Sequence, residues 1–537
     1  MSSTIRRRGP DVTGMELATV AGVLDVLAAA YALFLALHGD PVRAAVLILV
    51  ALAANLALFA LMRLRRRPRH VDHASRWLAR ASELRRHTTL GARSVAASLG
   101  VASPTPGIHI GRSVRGGADL WGTWEDTYVE ISGPGAGKTS ARAVNNIVAA
   151  PGPVVVTSGK RGLVDATRGV RERVGRTWVF DPQNLAGERP TWYWNPLGMV
   201  GGDLKEAASV TGLITFTQRN SHERSDSYFQ PAAETLIALM LFAADAGKRP
   251  ITDIHAWLLQ PDDDTPGHFI RATEATVATQ AYEGLRDLPR AQRAGVYGVA
   301  LRYMGWLAVP EIARWITPGA GREEFPFVHF SRESTDTMYI LSSADDTTAL
   351  PAVCTLTAAC VVAAETGSAR MPRGRLRKPM LAVLDDAADV AQLGLWPNRY
   401  SHYGSRGVIV MMMLQSWAQG VGVWGEAGMA KIWGASSVRV FGSGGSDGAM
   451  LGDQSLLAGT FEAPTTSLTY SGVPLSGRVT RASRAEAVLD HADVAALPRD
   501  RMMVQFSGQR PVLARSVDWT EGPYAEAIRD SLRKYAV

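Results

Sequence analysis

The sequence predicts an α/β fold built on a parallel sheet, with an all-alpha domain inserted in it and a two-helix transmembrane hairpin in front. Three observations carry this expectation. Short apolar, β-rich runs alternate with stretches of helical spacing through residues 95–202 and again through 321–537, the pattern of strand-helix-strand units. Residues 203–320 between them keep helical periodicity and have almost no strand signal. Two long apolar runs flanked by arginines open the chain.

Leu17 to Leu37 is apolar except at Asp25, and Ala44 to Met62 is apolar except at Asn55. Each is long enough to cross the roughly 30 Å hydrocarbon core as a helix. His38-Gly39-Asp40-Pro41-Val42-Arg43 between them has room only for a tight turn. Arg6, Arg7 and Arg8 precede the first run, and Arg63, Arg65, Arg66, Arg67 and Arg69 follow the second, so both ends are expected in the cytoplasm. The protein is thus read as a two-pass protein of the inner (cytoplasmic) membrane with its bulk in the cytoplasm. A cleaved signal peptide does not fit the length of the first run or the stop-transfer pattern after it.

The charge follows the same division. With 537 residues the chain exceeds one ordinary core, and 46% hydrophobic with 20% charged residues describes a mostly globular protein. Its net charge of +7 is concentrated in residues 1–94, which hold 14 arginines, no lysine and six acids. The remainder carries 43 basic and 44 acidic residues, so the basic total says little about what that part binds. Cys354 and Cys360 both fall in an apolar run, Val353 to Ala364, that reads as a core helix. Two such cysteines offer neither a disulfide framework nor a zinc spacing.

The expected organisation is a hairpin over 1–62, a basic helical juxtamembrane linker over 63–94, the first part of the α/β domain over 95–202, the all-alpha insertion over 203–320 and the second part of the α/β domain over 321–537. Strands are expected at Thr127 to Ile131, Pro153 to Thr157, Thr177 to Asp181, Asp336 to Leu341, Met380 to Leu384, Val408 to Met413, Val438 to Phe441 and Met502 to Phe506.

The chemistry is concentrated in a P-loop. Ser132-Gly133-Pro134-Gly135-Ala136-Gly137-Lys138-Thr139 joins a strand to a helix that continues through Ser140. Its glycines let backbone N–H groups turn inward around phosphates, Lys138 reaches the β and γ phosphates, and Thr139 can ligate Mg2+. ATP and Mg2+ are therefore the expected ligands. Such a site needs a carboxylate from the end of a neighbouring apolar strand, and Met380 to Leu384 followed by Asp385 and Asp386 has that form. Asp385 is expected to hold the metal and Asp386 to orient and activate the attacking water. Gln415, after the strand Val408 to Met413, is placed to sense the γ-phosphate. Arg406, in Gly404-Ser405-Arg406-Gly407 before that strand, is read as a finger to a neighbouring subunit's nucleotide. Asp385, Arg406 and Gln415 are expected at one edge of the sheet.

With these residues in place, the chain resembles the TraG/TraD-type coupling ATPases of conjugative type IV secretion systems over nearly its whole length. The resemblance rests on the two-helix anchor, the P-loop, Val154 to Lys160 with Thr167, Arg171 and Gly175, then Asp181-Pro182 and Trp194-Asn195-Pro196-Leu197. It continues through Ser225 to Phe229, Leu384 to Val390, Tyr400 to Gly407, Met413 to Gly420 and Gln509 to Val512. It implies a RecA-like motor domain, assembly into a homohexamer on the inner membrane, and relaxosome proteins and a secretion channel as partners. The role it implies is ATP-driven delivery of relaxase-bound, single-stranded DNA to that channel. Three positions depart from the family pattern. Ser132 replaces the first glycine of the loop, Asp386 stands where Glu is usual, which implies slower turnover, and Ser158 stands where many members carry Asp. Rival readings are an ATPase of a protein-secretion system, a double-stranded DNA translocase of the chromosome-segregation type, and an inactive scaffold that binds ATP.

Overall fold

The computed structural model describes residues 70–218, 228–470 and 477–536, together with Val42, Ala45 and Leu49. The two apolar runs of the expected hairpin fall outside the described residues except at Ala45 and Leu49, and so do Ser225 to Ser227. Residues from Ala74 onward form one compact unit.

Its centre is an 11-stranded sheet. The strands in chain order are β1 (Ile108–Ser113), β2 (Asp119–Gly122), β3 (Tyr128–Ile131), β4 (Val154–Ser158) and β5 (Thr177–Phe180). A short pair, β6 (Trp192–Tyr193) and β7 (Glu323–Glu324), flanks the insertion. Then come β8 (Thr337–Leu341), β9 (Met380–Leu384), β10 (Val408–Leu414) and β11 (Val438–Gly442). A separate hairpin, β12 (Thr460–Tyr470) with β13 (Gly477–Ala487), precedes β14 (Arg501–Phe506) and β15 (Val512–Arg515).

Across the main sheet, β11, β3, β10, β9, β4, β8 and β5 lie side by side and parallel. β14, β15, β1 and β2 extend the β11 edge with antiparallel pairs. The run Val-Ile-Val-Met-Met-Met-Leu of β10 and Met-Leu-Ala-Val-Leu of β9 are buried at every position. Continuous burial is what a strand with helices on both faces requires. One cover is the helix Leu350–Ser368, which opens on Pro351, buries both cysteines and is interior along nearly its whole length. It is long and apolar enough to cross a membrane, but it is a core helix, and no other helix among the described residues passes that test.

The described residues of 203–320 carry helices and no strand. Nine consecutive residues, Leu236 to Ala244, are buried in the helix Phe229–Ala246, which places it at the body's centre. The helical stretch Ala291 to Trp315 is broken at Gly305–Ala308 into Arg290–Met304 and Pro310–Ile316. The body hangs from a paired stem. Trp194 N–H donates to the Trp315 carbonyl at 2.8 Å, Phe325 N–H to the Tyr193 carbonyl at 2.7 Å, and β6 pairs with β7. Trp178, Trp192, Phe180, Trp315 and Phe325 pack around that stem with ring centroids about 5 to 6 Å apart.

The linker expectation needs correcting. Residues 75–84 are turns rather than helix, and Leu78, Ala79 and Leu84 are buried in the core. Ala79 N–H donates to the Pro511 carbonyl at 2.9 Å, and His87 stacks on Phe506 at 3.8 Å. Apolar residues among the arginines explain why this stretch joins the domain instead of running free. The arginine count alone concealed them.

Candidate functional site

β3 is the pivot of the sheet. The connection leaving β3 runs to β4 on one side, while the connection leaving β10 crosses back over β3 to β11 on the other. Ligands in open α/β sheets lie at the C-terminal ends of strands beside such a reversal. The P-loop starts there.

The loop is wedged between neighbouring strand ends. Ser132 N–H donates to the Leu414 carbonyl at 3.1 Å and Gly133 N–H to the Ser443 carbonyl at 2.8 Å. A Cβ at Gly133 would lie 2.6 Å from the Gly444 carbonyl oxygen, a backbone atom that cannot step aside, so glycine is obligatory there. Gly135 and Gly137 hold φ of +73° and +80°, conformations that side chains disfavour. Pro134 and Gly135 form the exposed tip, and Ala136 is buried under it. A π-helical turn, Lys138–Ala143, leads into the helix Val144–Ala149. Ser140 lies in that turn.

Lys138 is buried, and its Nζ donates to the Ser132 carbonyl at 2.5 Å. Burial pushes its ammonium pKa down, and the charges of Glu130, Asp386 and Asp385 offset part of that. Thr139 Oγ1 donates to Asp385 Oδ2 at 3.0 Å, closing the loop on the end of β9. The other carboxylate oxygen of Asp385 is buried without a hydrogen-bond partner among the described residues. Burial, reinforced by the charge of Asp386, raises the Asp385 pKa to about 6.

Asp386 follows with φ +50°, the left-handed region, where Asp is tolerated better than longer side chains. That is a physical reason for Asp at a position where the family resemblance leads one to expect Glu. Asp386 Oδ1 accepts from Gln415 Nε2 at 3.0 Å, and the Gln415 N–H is held by Gln419 Oε1 at 3.2 Å. The structure therefore brings Lys138, Thr139, Asp385, Asp386 and Gln415 together at the C-terminal edge of the sheet.

Arg406 does not join them. It ends the helix Trp396–Arg406, capped by Gly407 at φ +78°, and lies 3.8 Å from the Glu365 carboxylate. Glu365 also binds Arg399 at 3.0 Å. The whole of β10 separates Arg406 from Gln415, roughly 20 Å for its seven residues. The expectation of one shared edge fails because a residue before a strand and a residue after it sit at its opposite ends. That order was already readable in the sequence.

Sequence reasoning also passed over the partners of Ser132. Its hydroxyl donates to Glu130 Oε1 at 2.7 Å, and a Cβ at Gly442 would meet that hydroxyl at 2.1 Å. An acid in the otherwise apolar run before the loop, with Arg142 one helical turn past Lys138, was the available signal. Ser158 serves its own turn, accepting from Lys160 N–H at 3.2 Å.

Residues 379–499 match the family model of the TraM recognition site of TraD and TraG. The chain is 22% identical over 411 residues to the type IV secretion system-coupling protein VirD4 of Bartonella quintana (strain Toulouse), covering 71% of this chain and 61% of that one. It therefore spans about three fifths of the length of that curated relative. Among solved structures, the bacterial conjugative coupling protein TrwBdeltaN70 in its unbound monoclinic form superposes with a TM-score of 0.53 at 15% identity, over 80% of this chain and 91% of that one. The plasmid coupling protein TrwB in complex with ADP and Mg2+ gives 0.45 at 16% identity, over 68% and 86%. The chain is thus similar to type IV secretion coupling proteins and shares the mixed α/β fold with its large parallel sheet.

Proposed function

We propose that this chain is a membrane-anchored ATPase that couples ATP hydrolysis to the transfer of relaxase-bound DNA into a type IV secretion channel during conjugation. The observation that carries the ATPase part is the closure of the P-loop on β9, with Thr139 bonded to Asp385 beside Lys138 and with Asp386 held by Gln415. The likeness to coupling proteins supports the transfer part.

In this reading the loop's N–H groups and Lys138 cradle the phosphates of ATP. The Thr139 hydroxyl and the unpartnered oxygen of Asp385 are hard oxygen donors, which suits Mg2+. Bound there, Mg2+ would neutralise phosphate charge and orient the γ-phosphoryl group. Asp386 holds and deprotonates the attacking water, and Gln415 fixes the Asp386 carboxylate while sensing the γ-phosphate. The short Asp386 side chain limits the reach to that water, so slow turnover belongs to the proposal.

The anchor is the two-helix hairpin of 1–62 in the inner membrane, with the motor formed by 95–202 and 321–537 and the insertion 203–320 facing partners. Arg406 reaches a neighbouring subunit's nucleotide only in a ring, and a homohexamer supplies that neighbour. The partners are single-stranded DNA with its relaxase, relaxosome proteins and the secretion channel.

The test is hydrolysis by the full chain in lipid nanodiscs. Single-stranded DNA is expected to stimulate the rate several-fold and to bind with an affinity that falls steeply with salt. Absence of both effects would sink the DNA role, and stimulation by a secreted protein instead would establish the protein-secretion reading, to which the near-neutral charge of residues 95–537 is no obstacle.

A pH prediction follows from Asp385. A carboxyl whose folded pKa is raised to about 6 favours its neutral form in the fold. Its contribution to stability is therefore greatest at low pH and is lost as pH rises through 6. Metal binding needs the ionised form, so the Mg2+ concentration giving half-maximal hydrolysis should rise about tenfold per unit below pH 6. A flat requirement between pH 7 and 5 would contradict this.

A further inference from the structure

Beneath the loop lies a buried polar cluster that the proposed chemistry does not use. Glu130 stands on β3 two residues before Ser132 and has no exposed surface. Its carboxylate accepts from Arg142 through both Nε, at 2.6 Å, and Nη2, from the Tyr128 hydroxyl, and from Ser132 Oγ at 2.7 Å. Arg142 is equally buried, and its remaining Nη1 donates to Ser516 Oγ at 2.7 Å. The segment after Ser516 follows the same helix, because Asn145 Nδ2 donates to the Val517 carbonyl at 3.1 Å. Burial drives the Glu130 pKa up, and the Arg142 charge with these hydrogen bonds outweighs it, so the carboxylate stays ionised.

We propose that Glu130 is a positioning residue for the P-loop: through Ser132 and Arg142 it fixes the resting place of Lys138 and ties the loop to the C-terminal residues Ser516 and Val517. The proposal rests on the ATPase reading and adds a device to it. Lys138 rests on the carbonyl of Ser132, the residue whose own hydroxyl is pinned to Glu130. Serine at the loop's first position is thereby an anchored variant of the usual glycine, and Gly442 opposite supplies the room for its hydroxyl. An anchored Ser132 holds Lys138 at one starting point from which it swings to the phosphates. Once that anchor is cut, the loop samples positions that do not accept phosphate, and nucleotide affinity falls. Once ATP is bound, Lys138 is held by the phosphates instead of by the Ser132 carbonyl, and Asp386 and Gln415 bond to no member of the cluster, so the rate from the bound state changes little.

Full-chain protein in nanodiscs provides the test, with the KM for ATP, kcat and the dissociation constant of a fluorescent ATP analogue as readouts. Ser132→Ala is expected to raise KM and the dissociation constant about fivefold with kcat within twofold, the effect of one lost hydrogen bond. In a Lys138→Ala background the same change should add nothing to the dissociation constant, since the two residues act as one unit. Glu130→Met with Arg142→Met removes both buried charges together, so that neither is left unpaired, and is expected to show the raised KM. The proposal is overturned if Ser132→Ala leaves KM unchanged, if its effect persists in full without Lys138, or if the double variant binds ATP like wild type. Should the double variant not fold, Ser132→Ala and the Lys138 background decide. A wild-type chain that binds the analogue without hydrolysing ATP would defeat the ATPase reading, while the dissociation constants would still judge Glu130.

Discussion

Replacing Lys138 by alanine is expected to lower ATP hydrolysis by the full chain about 100-fold or more, the usual scale for removing a donor that stabilises a developing phosphoryl charge. Lys138 is the one ammonium group inside the loop, buried and free to exchange its Ser132 acceptor for phosphate. Asp385→Ala should cost a similar factor and also raise the Mg2+ concentration that gives half-maximal hydrolysis, because it removes both the partner of Thr139 and the unpartnered oxygen beside it. A residual rate above a tenth of wild type in either variant would remove these residues from the mechanism. Subunit mixing extends the test to the far edge of the sheet. An Arg406→Ala chain, inactive alone, should recover part of its activity when mixed with Lys138→Ala chains, since each supplies what the other lacks. No recovery in a mixed ring would leave Arg406 as the ion-pair partner of Glu365 and nothing more.

Arg171→Met is expected to destabilise the protein by about 3 kcal/mol, read as a lower urea midpoint at unchanged slope. Arg171 has no exposed surface. Its guanidinium donates to the carbonyls of Ala150 at 2.7 Å, Gly152 at 3.1 Å and Thr335 at 2.8 Å, and to Thr337 Oγ1 at 2.7 Å. These acceptors lie in the loops entering β4 and β8 and at the first residue of β8, so one side chain stitches two strand starts that are far apart in sequence. Methionine fills the volume but strands buried carbonyls. Lysine keeps the charge, yet a single ammonium cannot span the same acceptors, so it should recover little. A loss below about 0.5 kcal/mol for Arg171→Met would show that water reaches these carbonyls.

These two residues mark how much of the molecule was legible beforehand. The P-loop and Asp385 were readable because their chemistry is local: a strand, a turn that needs glycine, and an acid at a strand end. The parallel strands were readable for a related reason, since β9 and β10 are apolar at every position and are long enough only for strands. Arg171 was visible as part of a family resemblance, but the acceptors it joins were not. The antiparallel extension by β14, β15, β1 and β2 went largely unread, because two of those strands lie near one end of the chain and two near the other. The β12–β13 hairpin had no apolar alternation strong enough to announce it.

The sequence by itself determined the mixed α/β class, the helical stretch between its two sheet-forming parts and the P-loop with an acid at a neighbouring strand end, all of which depend on neighbours within a few positions. Tertiary structure alone decided that Gln415 grips Asp386 and that Glu130 stands under the P-loop. It also decided that Leu78, Ala79, Leu84 and His87 are buried, and it placed Arg406 at the opposite edge with Glu365. Each of these depends on which strand lies beside which and on the direction it runs. That ordering arises from packing across the whole sheet, where burial and hydrogen bonding select among arrangements that local propensity leaves equal.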